Sequence, residues 1–117
     1  MTPFGEKIRQ LRSEASVTLK QMAAAIEVSS AYLSALEHGH RGRPSPGLIR
    51  QICAYFELIW DDAEELRKLA DLSHPKVTVD TSGLSPRHTE LANRLAQKIR
   101  DLSTREVEEM LGQIGKA

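Results

Sequence analysis

The chain has 117 residues, enough for one domain with a small appendage. Its 40% hydrophobic and 27% charged content excludes wholesale disorder, and its sixteen basic and sixteen acidic side chains exclude a polycation that coats nucleic acid. No apolar run approaches the ~20 residues that cross a bilayer, and the first residues lack the apolar block of a signal peptide, so we expect a cytoplasmic protein.

The first two helices are predicted from their start signals. Thr2 is an N-cap residue, and Pro3 follows at the first helical position, where its missing N–H leaves nothing unsatisfied. Thr18 caps the second helix, and Gln21 completes a capping box three residues later. The basic side chains of the first helix, including Arg12, are expected to face solvent. The apolar residues expected to form the core recur at helical spacing: Phe4, Ile8, Leu11, Leu19, Met22, Ala23 and Ile26.

Three further short helices are predicted before residue 73, where a β-branched pattern replaces the helical one. Ser29 caps the third helix, and Gly39 ends it. A cap followed by proline, Ser45-Pro46, starts a fourth helix over about 46–57, and a fifth spans about 61–72. Their predicted core residues are Leu33, Leu36, Leu48, Ile49, Ile52, Tyr55, Phe56, Ala63, Leu66, Leu69 and Ala70.

The C-terminal part begins with residues 73–84, whose β-branched alternation predicts a linker or one short strand. Residues 85–117 then predict two amphipathic helices, capped by Ser85 and by Ser103 with Glu106. Their apolar stripes are too large to leave exposed on a stable monomer, so we expect dimerisation, with packing on the N-terminal domain as the alternative. The candidate dimerisation residues are Leu91, Leu95, Ile99, Val107, Met110, Leu111 and Ile114.

The most informative stretch runs from Thr18 to Gly39. Ala23 is small where a neighbouring helix must come close, and Glu27-Val28-Ser29 makes the turn. The next helix packs inward through Leu33 and Leu36. Its outer face then carries small side chains, as a helix needs that lies flat in a major groove. These outer residues are Ser30, Ala31 and Ser34.

The turn Val28-Ser29, the segment Tyr32-Leu33-Ser34 and the pattern Leu36-Glu37-x-Gly39 together carry a family resemblance. They resemble the Cro/cI-type helix-turn-helix family of bacterial and phage regulators, also called the XRE family, and with the flanking helices the resemblance covers roughly residues 4–72. It implies an all-α protein. A five-helix lambda-repressor-like helix-turn-helix domain over residues 1–72 would be followed by a short extended linker and a C-terminal pair of amphipathic helices.

The chain departs from the family pattern at two positions. The turn position that is usually glycine in the family is Glu27, which must take a left-handed conformation at some cost or alter the turn. The start of the second helix, where many relatives carry a phosphate-binding glutamine, is Leu19. Lys20 or Gln21 can substitute for that contact.

The resemblance implies which residues contact DNA. Those expected to face base edges are Ser29, Ser30, Ala31 and Ser34. Those expected to contact phosphate or a groove edge are Lys20, Gln21, Tyr32, His38, His40, Arg41 and Arg43. For each group the alternative is ordinary solvated helix or loop surface.

Other chemistries have weaker support. His38 and His40 lack a third metal ligand at a useful spacing, and Cys53 lies among apolar residues, as a small buried side chain would. The acidic start of the fifth helix, Asp61 to Glu65, is explained by the helix dipole, although it could touch RNA polymerase. Nothing pairs a nucleophile with a base. We therefore expect neither an enzyme nor a cofactor.

The sequence thus predicts a sequence-specific regulator of transcription that binds double-stranded DNA as a homodimer, with helix 29–38 in the major groove. The main alternative is an antitoxin or adaptor whose C-terminal helices bind a partner protein. A phage-type repressor is a further alternative.

Overall fold

In the computed structural model, residues 1–115 are described, and that part of the chain holds seven α-helices, one 3₁₀ turn and no strand. The predicted all-α class is confirmed. The helices are α1 (Pro3–Ala15), α2 (Leu19–Ala25), α3 (Ser30–Glu37), α4 (Pro46–Tyr55), α5 (Asp61–Asp71), α6 (Pro86–Lys98) and α7 (Thr104–Ile114), with the 3₁₀ turn at Ile99–Asp101. None of the helices within residues 1–115 is long and apolar enough to span a membrane.

Two compact units divide the chain between Val77 and Thr78. The division falls inside the segment predicted as a linker. Ser73, the first residue of that segment, is buried in the first unit. Its Oγ accepts a hydrogen bond from the backbone N–H of Phe4 at 2.9 Å and donates one to the carbonyl of Leu69 at 2.6 Å. Ser73 therefore completes the first unit rather than leaving it.

The predicted helix starts are present. Thr2, Ser29 and Ser45 each accept a hydrogen bond from a backbone N–H in the first turn of the helix that follows. Thr18 forms the full capping box with Gln21 at the start of α2. At α5 the cap position holds Trp60, which supplies no side-chain hydrogen bond, so this start depends on the backbone turn and the dipole.

The core of the first unit collects apolar side chains from all five of its helices. α1 packs on α3 and α5, α2 packs on α3, and α4 packs on α5. Such burial is the dominant stabilising contribution, about 1.5–3 kcal/mol for a fully buried large side chain. The large apolar side chains that are fully buried are Phe4, Ile8, Met22, Leu33, Ile52 and Leu66.

The end of α3 lies directly against the start of α1. A Cβ atom at Gly5 would lie 2.1 Å from the carbonyl oxygen of Glu37, so only glycine allows this approach. The same carbonyl accepts a hydrogen bond from the N–H of Thr2 at 3.1 Å. The position of α3 is therefore set partly by contacts between two backbones.

The second unit contains α6 and α7, and none of its side chains up to Gly115 is buried. Ion pairs run along the helices: Glu90 pairs with Arg94 on α6, and Arg105 pairs with Glu109 on α7. Most of the apolar side chains on both helices are exposed, with Leu91 keeping 69% and Ile114 74% of its surface in solvent, whereas Val107 is partly buried. This unit has helices without a core.

Candidate nucleic-acid interface

A tight turn joins α2 to α3. Glu27 occupies it with φ of 59°, which is the first of the two alternatives expected at this position, the left-handed conformation. The next residue, Val28, packs against the core and donates its N–H to the carbonyl of Ala23 at 2.9 Å. The turn therefore has its left-handed residue without a glycine, and the strain of that conformation lies at Glu27.

The two faces of α3 differ as predicted. Leu33 and Leu36 are buried, whereas Ser30 and Ala31 are exposed and Ser34 is partly exposed. The outer face is low because its side chains are short, so a neighbouring surface can approach the helix backbone closely. This face is continuous from the first turn of α3 to its middle.

Ser29 is the N-cap residue of this helix. Its Oγ accepts a hydrogen bond from the N–H of Tyr32 at 3.0 Å and so caps α3. A hydroxyl has a second acceptor position and one donor, so the Ser29 O–H keeps the capacity to donate outward. The predicted contact to a base edge is compatible with the cap.

A buried ion pair holds the other end of α3. Nη2 of Arg12 lies 3.1 Å from both carboxylate oxygens of Glu37. The prediction that Arg12 faces solvent is wrong, since its side chain is only 14% exposed. Glu37 follows Leu33 by four residues, and this helical spacing is the signal that could have placed it on the buried face.

The basic segment, residues 38–43, follows α3. His38 donates from Nδ1 to the carbonyl of Ser34 at 2.8 Å, and its ring stacks on that of His40 with 6.4 Å between centroids. The guanidinium carbon of Arg41 lies 5.8 Å from the centroid of the Tyr32 ring, within range of a cation–π contact. Arg41 and the two histidines are exposed and lie next to the outer face of α3.

Arg43, the last basic residue of that segment, reaches α5. Its Nη2 lies 2.6 Å from Oδ1 of Asp71, with side-chain exposures of 34% and 63%. Surface pairs of this kind contribute about 0–1 kcal/mol, so a phosphate oxygen can replace the carboxylate. The contact of Arg43 with Asp71 is therefore weak enough for Arg43 to leave it and bind a phosphate instead.

The start of α2 carries the other predicted phosphate contacts. Lys20 and Gln21 are both exposed. The Gln21 Oε1 accepts a hydrogen bond from the N–H of Thr18 at 2.9 Å, which leaves the side-chain amide hydrogens able to donate. Leu19, at the family's glutamine position, packs against the core instead. The departure at Leu19 therefore has a packing reason.

Comparison with known proteins decides the family. A family model described as a helix-turn-helix domain matches residues 3–69, more than half of the chain. The chain belongs to this helix-turn-helix family. The resemblance stated from the α2–turn–α3 residues is confirmed.

Two proteins of Bacillus subtilis (strain 168) are similar to this helix-turn-helix protein. One is an uncharacterized HTH-type transcriptional regulator, RghRB, 36% identical over 62 residues, which are 53% of this chain and 45% of the relative. The other is the HTH-type transcriptional repressor RghR, 36% identical over 61 residues, 52% of this chain and 45% of the relative. The chain therefore spans less than half the length of these relatives. No solved structure matches.

The single cysteine of this helix-turn-helix protein has the environment of a buried core residue. Cys53 is buried in α4, and desolvation raises the pKa of its thiol, although the charge of Arg67 acts in the opposite direction. A raised thiol pKa disfavours the reactive thiolate. Within residues 1–115 no three His, Cys, Asp or Glu side chains are grouped to hold a metal ion.

Proposed function

We propose that this protein regulates transcription by binding specific double-stranded DNA sequences with α3 in the major groove. The observation that carries the proposal is the low outer face of α3, fixed by a cap at one end and by the Arg12–Glu37 pair at the other. The cytoplasm, where bacterial DNA lies, is the corresponding location. The similarity to the transcriptional repressor RghR supports repression as the direction of control.

Direct readout falls to the small side chains of α3. The hydroxyls of Ser30 and Ser34 can donate to or accept from base edges, and the Ala31 methyl suits the methyl group of thymine. Ser29 adds its free donor at the helix start. Each such contact discriminates weakly, so one α3 helix covers only a few base pairs.

Phosphate contacts supply orientation and much of the affinity. The exposed cation of Arg41 lies beside α3, and Arg43 can leave Asp71 for a phosphate. Lys20 and the Gln21 amide extend from the first turn of α2. The remaining proposed contacts are Tyr32, His38 and His40.

Dimerisation would increase the sequence specificity of DNA binding, because two weakly discriminating α3 helices would contact two half-sites together. The exposed apolar residues of α6 and α7 support it, because such side chains gain about 25 cal/mol for each Å² removed from water. The proposed dimer residues are Leu91, Leu95, Ile99, Val107, Met110, Leu111 and Ile114. The same exposure favours one alternative, an antitoxin or adaptor that binds a partner protein with these helices.

The test is selection of bound duplexes from a random pool by the purified full chain at physiological salt. We expect enrichment of an inverted repeat whose half-sites lie about one helical turn apart. Enrichment of a single half-site would support the readout and contradict the dimer. If folded protein enriches no motif, the proposal fails and the partner-binding alternative is preferred.

A further inference from the structure

The loop between α4 and α5 displays two large apolar side chains. Ile59 is 66% exposed and Trp60, the single tryptophan of the chain, is 84% exposed. Neither belongs to the core, although Leu58 beside them packs against it. Tryptophan is enriched at the energetic centres of protein interfaces, because a large rigid side chain buries much area at little entropic cost.

This pair is held in a strained backbone. Trp60 has φ of 52° and ψ of −119°, the conformation of the first central residue of a type II′ turn, where glycine is favoured. The N–H of Asp62 donates to the carbonyl of Ile59 at 3.2 Å and closes the turn. The N–H of Leu58 donates to the carbonyl of Cys53 at 2.8 Å and ties the loop to α4. The backbone that carries Ile59 and Trp60 is therefore ordered in the free protein, so binding a partner need not order it.

The pair lies in a strongly acidic stretch of the sequence. Residues 57–65 contain five carboxylates and no basic side chain. Glu64 pairs with Arg67 at 3.3 Å, while within residues 1–115 no ion pair involves Asp61, Asp62 or Glu65. The dipole of α5 favours carboxylates in its first turn, but it gives no reason for the exposure of Ile59 and Trp60.

We propose that Ile59, Trp60 and the carboxylates of Asp61, Asp62 and Glu65 form a docking surface for a basic, apolar segment of another protein. The apolar pair would bury aliphatic side chains, the indole face can receive a Lys or Arg cation, and the carboxylates pair with further cations. The charge excludes duplex DNA as occupant. A symmetric contact with a second copy would bring two sets of like charges together, which disfavours it.

Trp60 provides its own reporter because it is the only tryptophan. The probe is a synthetic amphipathic helix of leucine and lysine, with a leucine and glutamate peptide of equal length as its counterpart. Added to the full chain, the lysine peptide should shift Trp60 emission to shorter wavelength and saturate. The glutamate peptide should leave the emission unchanged.

Two variants separate this surface from general electrostatics. Asp61→Asn with Asp62→Asn should weaken lysine-peptide binding about fivefold to tenfold. Asp101→Asn with Glu108→Gln removes the same charge from the second unit and should leave the affinity unchanged. Trp60→Gly removes the fluorescent reporter, so its peptide binding is measured by calorimetry and should be weaker. The same variant should have a higher denaturant midpoint of unfolding, since glycine relieves the strain of the turn.

Four results would overturn the proposal. The first is no emission change with the lysine peptide, and the second is an equal change with both peptides. The third is an emission shift that grows with protein concentration in the absence of peptide, which would assign the surface to a second copy. Retained affinity in the Asp61→Asn, Asp62→Asn variant, with its helical circular dichroism intact, has the same meaning as the first two.

Discussion

Arg12 of α1 and Glu37 at the end of α3 form a buried ion pair, with one guanidinium nitrogen 3.1 Å from each carboxylate oxygen. The two residues are 25 positions apart, so the pair joins two helices that the turn of the motif does not connect. It couples the orientation of the proposed recognition helix to the stability of the first unit.

Removing one member of this pair should destabilise the first unit. Arg12→Met leaves the Glu37 carboxylate buried without its partner, and we expect a loss of about 3 kcal/mol in the free energy of unfolding, measured in urea. The double variant Arg12→Met, Glu37→Met should recover most of that loss, because no uncompensated charge is left. Additive losses in the double variant would show that the two side chains do not act as a pair.

The left-handed turn residue offers a stabilising substitution. Glu27→Gly should raise the free energy of unfolding by about 1 kcal/mol, because glycine adopts φ of 59° without the cost that a Cβ imposes. Ala24→Gly, three residues earlier in the regular helix, is the matched control and should lower it by about 0.5–1 kcal/mol. Destabilisation by Glu27→Gly would mean that the Glu27 side chain contributes more than its backbone conformation costs.

Base contacts and phosphate contacts should respond differently to substitution. Arg41→Ala should weaken binding to selected and random duplexes alike and reduce the slope of log affinity against log salt by about one. Ser34→Ala should change which bases are preferred and leave the salt slope as it was. The measurement is fluorescence anisotropy with both duplexes across a salt series, and equal effects of the two variants on both duplexes would contradict the assignment.

A truncation tests the role of the second unit. A chain ending at Val77 retains the buried Ser73 and the whole first core, so it should keep its helices and its cooperative unfolding. It should lose tight binding to the selected inverted repeat if α6 and α7 dimerise the protein. A chain ending at Leu72 is the informative comparison. It lacks the Ser73 hydroxyl that satisfies the N–H of Phe4, and it should be less stable by about 1–3 kcal/mol.

The capping box of α7 should make that helix sensitive to acid. Hydrogen bonds from the backbone and the side chain of Ser103 lower the pKa of Glu106 from its ordinary value of 4.5. A lowered pKa means that the contribution of the box is present above the ordinary value and is lost as the pH falls through the folded one. Titration of the Glu106 carboxyl by NMR should show the low midpoint, and Ser103→Ala should move it upward. Because the backbone N–H of Ser103 remains in Ser103→Ala, only part of the lowering should be lost. A Glu106 midpoint at its ordinary value in the parent chain would contradict the prediction.

Local signals predict this fold well because caps and turns depend on residues a few positions apart. Thr2, Thr18, Ser29 and Ser45 all act as expected, and Glu27 at the turn takes one of the two alternatives expected for it, the left-handed conformation. These features need no knowledge of how the helices cross.

Features that depend on crossing helices are harder to foresee. The partner of Arg12 is set by the packing of α1 on α3, and Arg43 meets Asp71 through the arrangement of α5 beside the basic segment. Ser73 lies in a stretch whose β-branched pattern suggests a linker, but its hydroxyl is needed by the first turn of α1. The exposure of Trp60 likewise cannot be read from its residue type, since a large aromatic side chain is ordinarily mostly buried.

The contact at Gly5 has a consequence for how such a protein can change its target. α1 meets the end of α3 backbone to backbone there, so side-chain repacking on that junction has little scope to tilt α3. New specificity must then come from exchanging residues on the outer face while the inner scaffold stays constant. If α3 reads DNA as proposed, its outer side chains can be replaced as a set while the residues that support the helix stay unchanged.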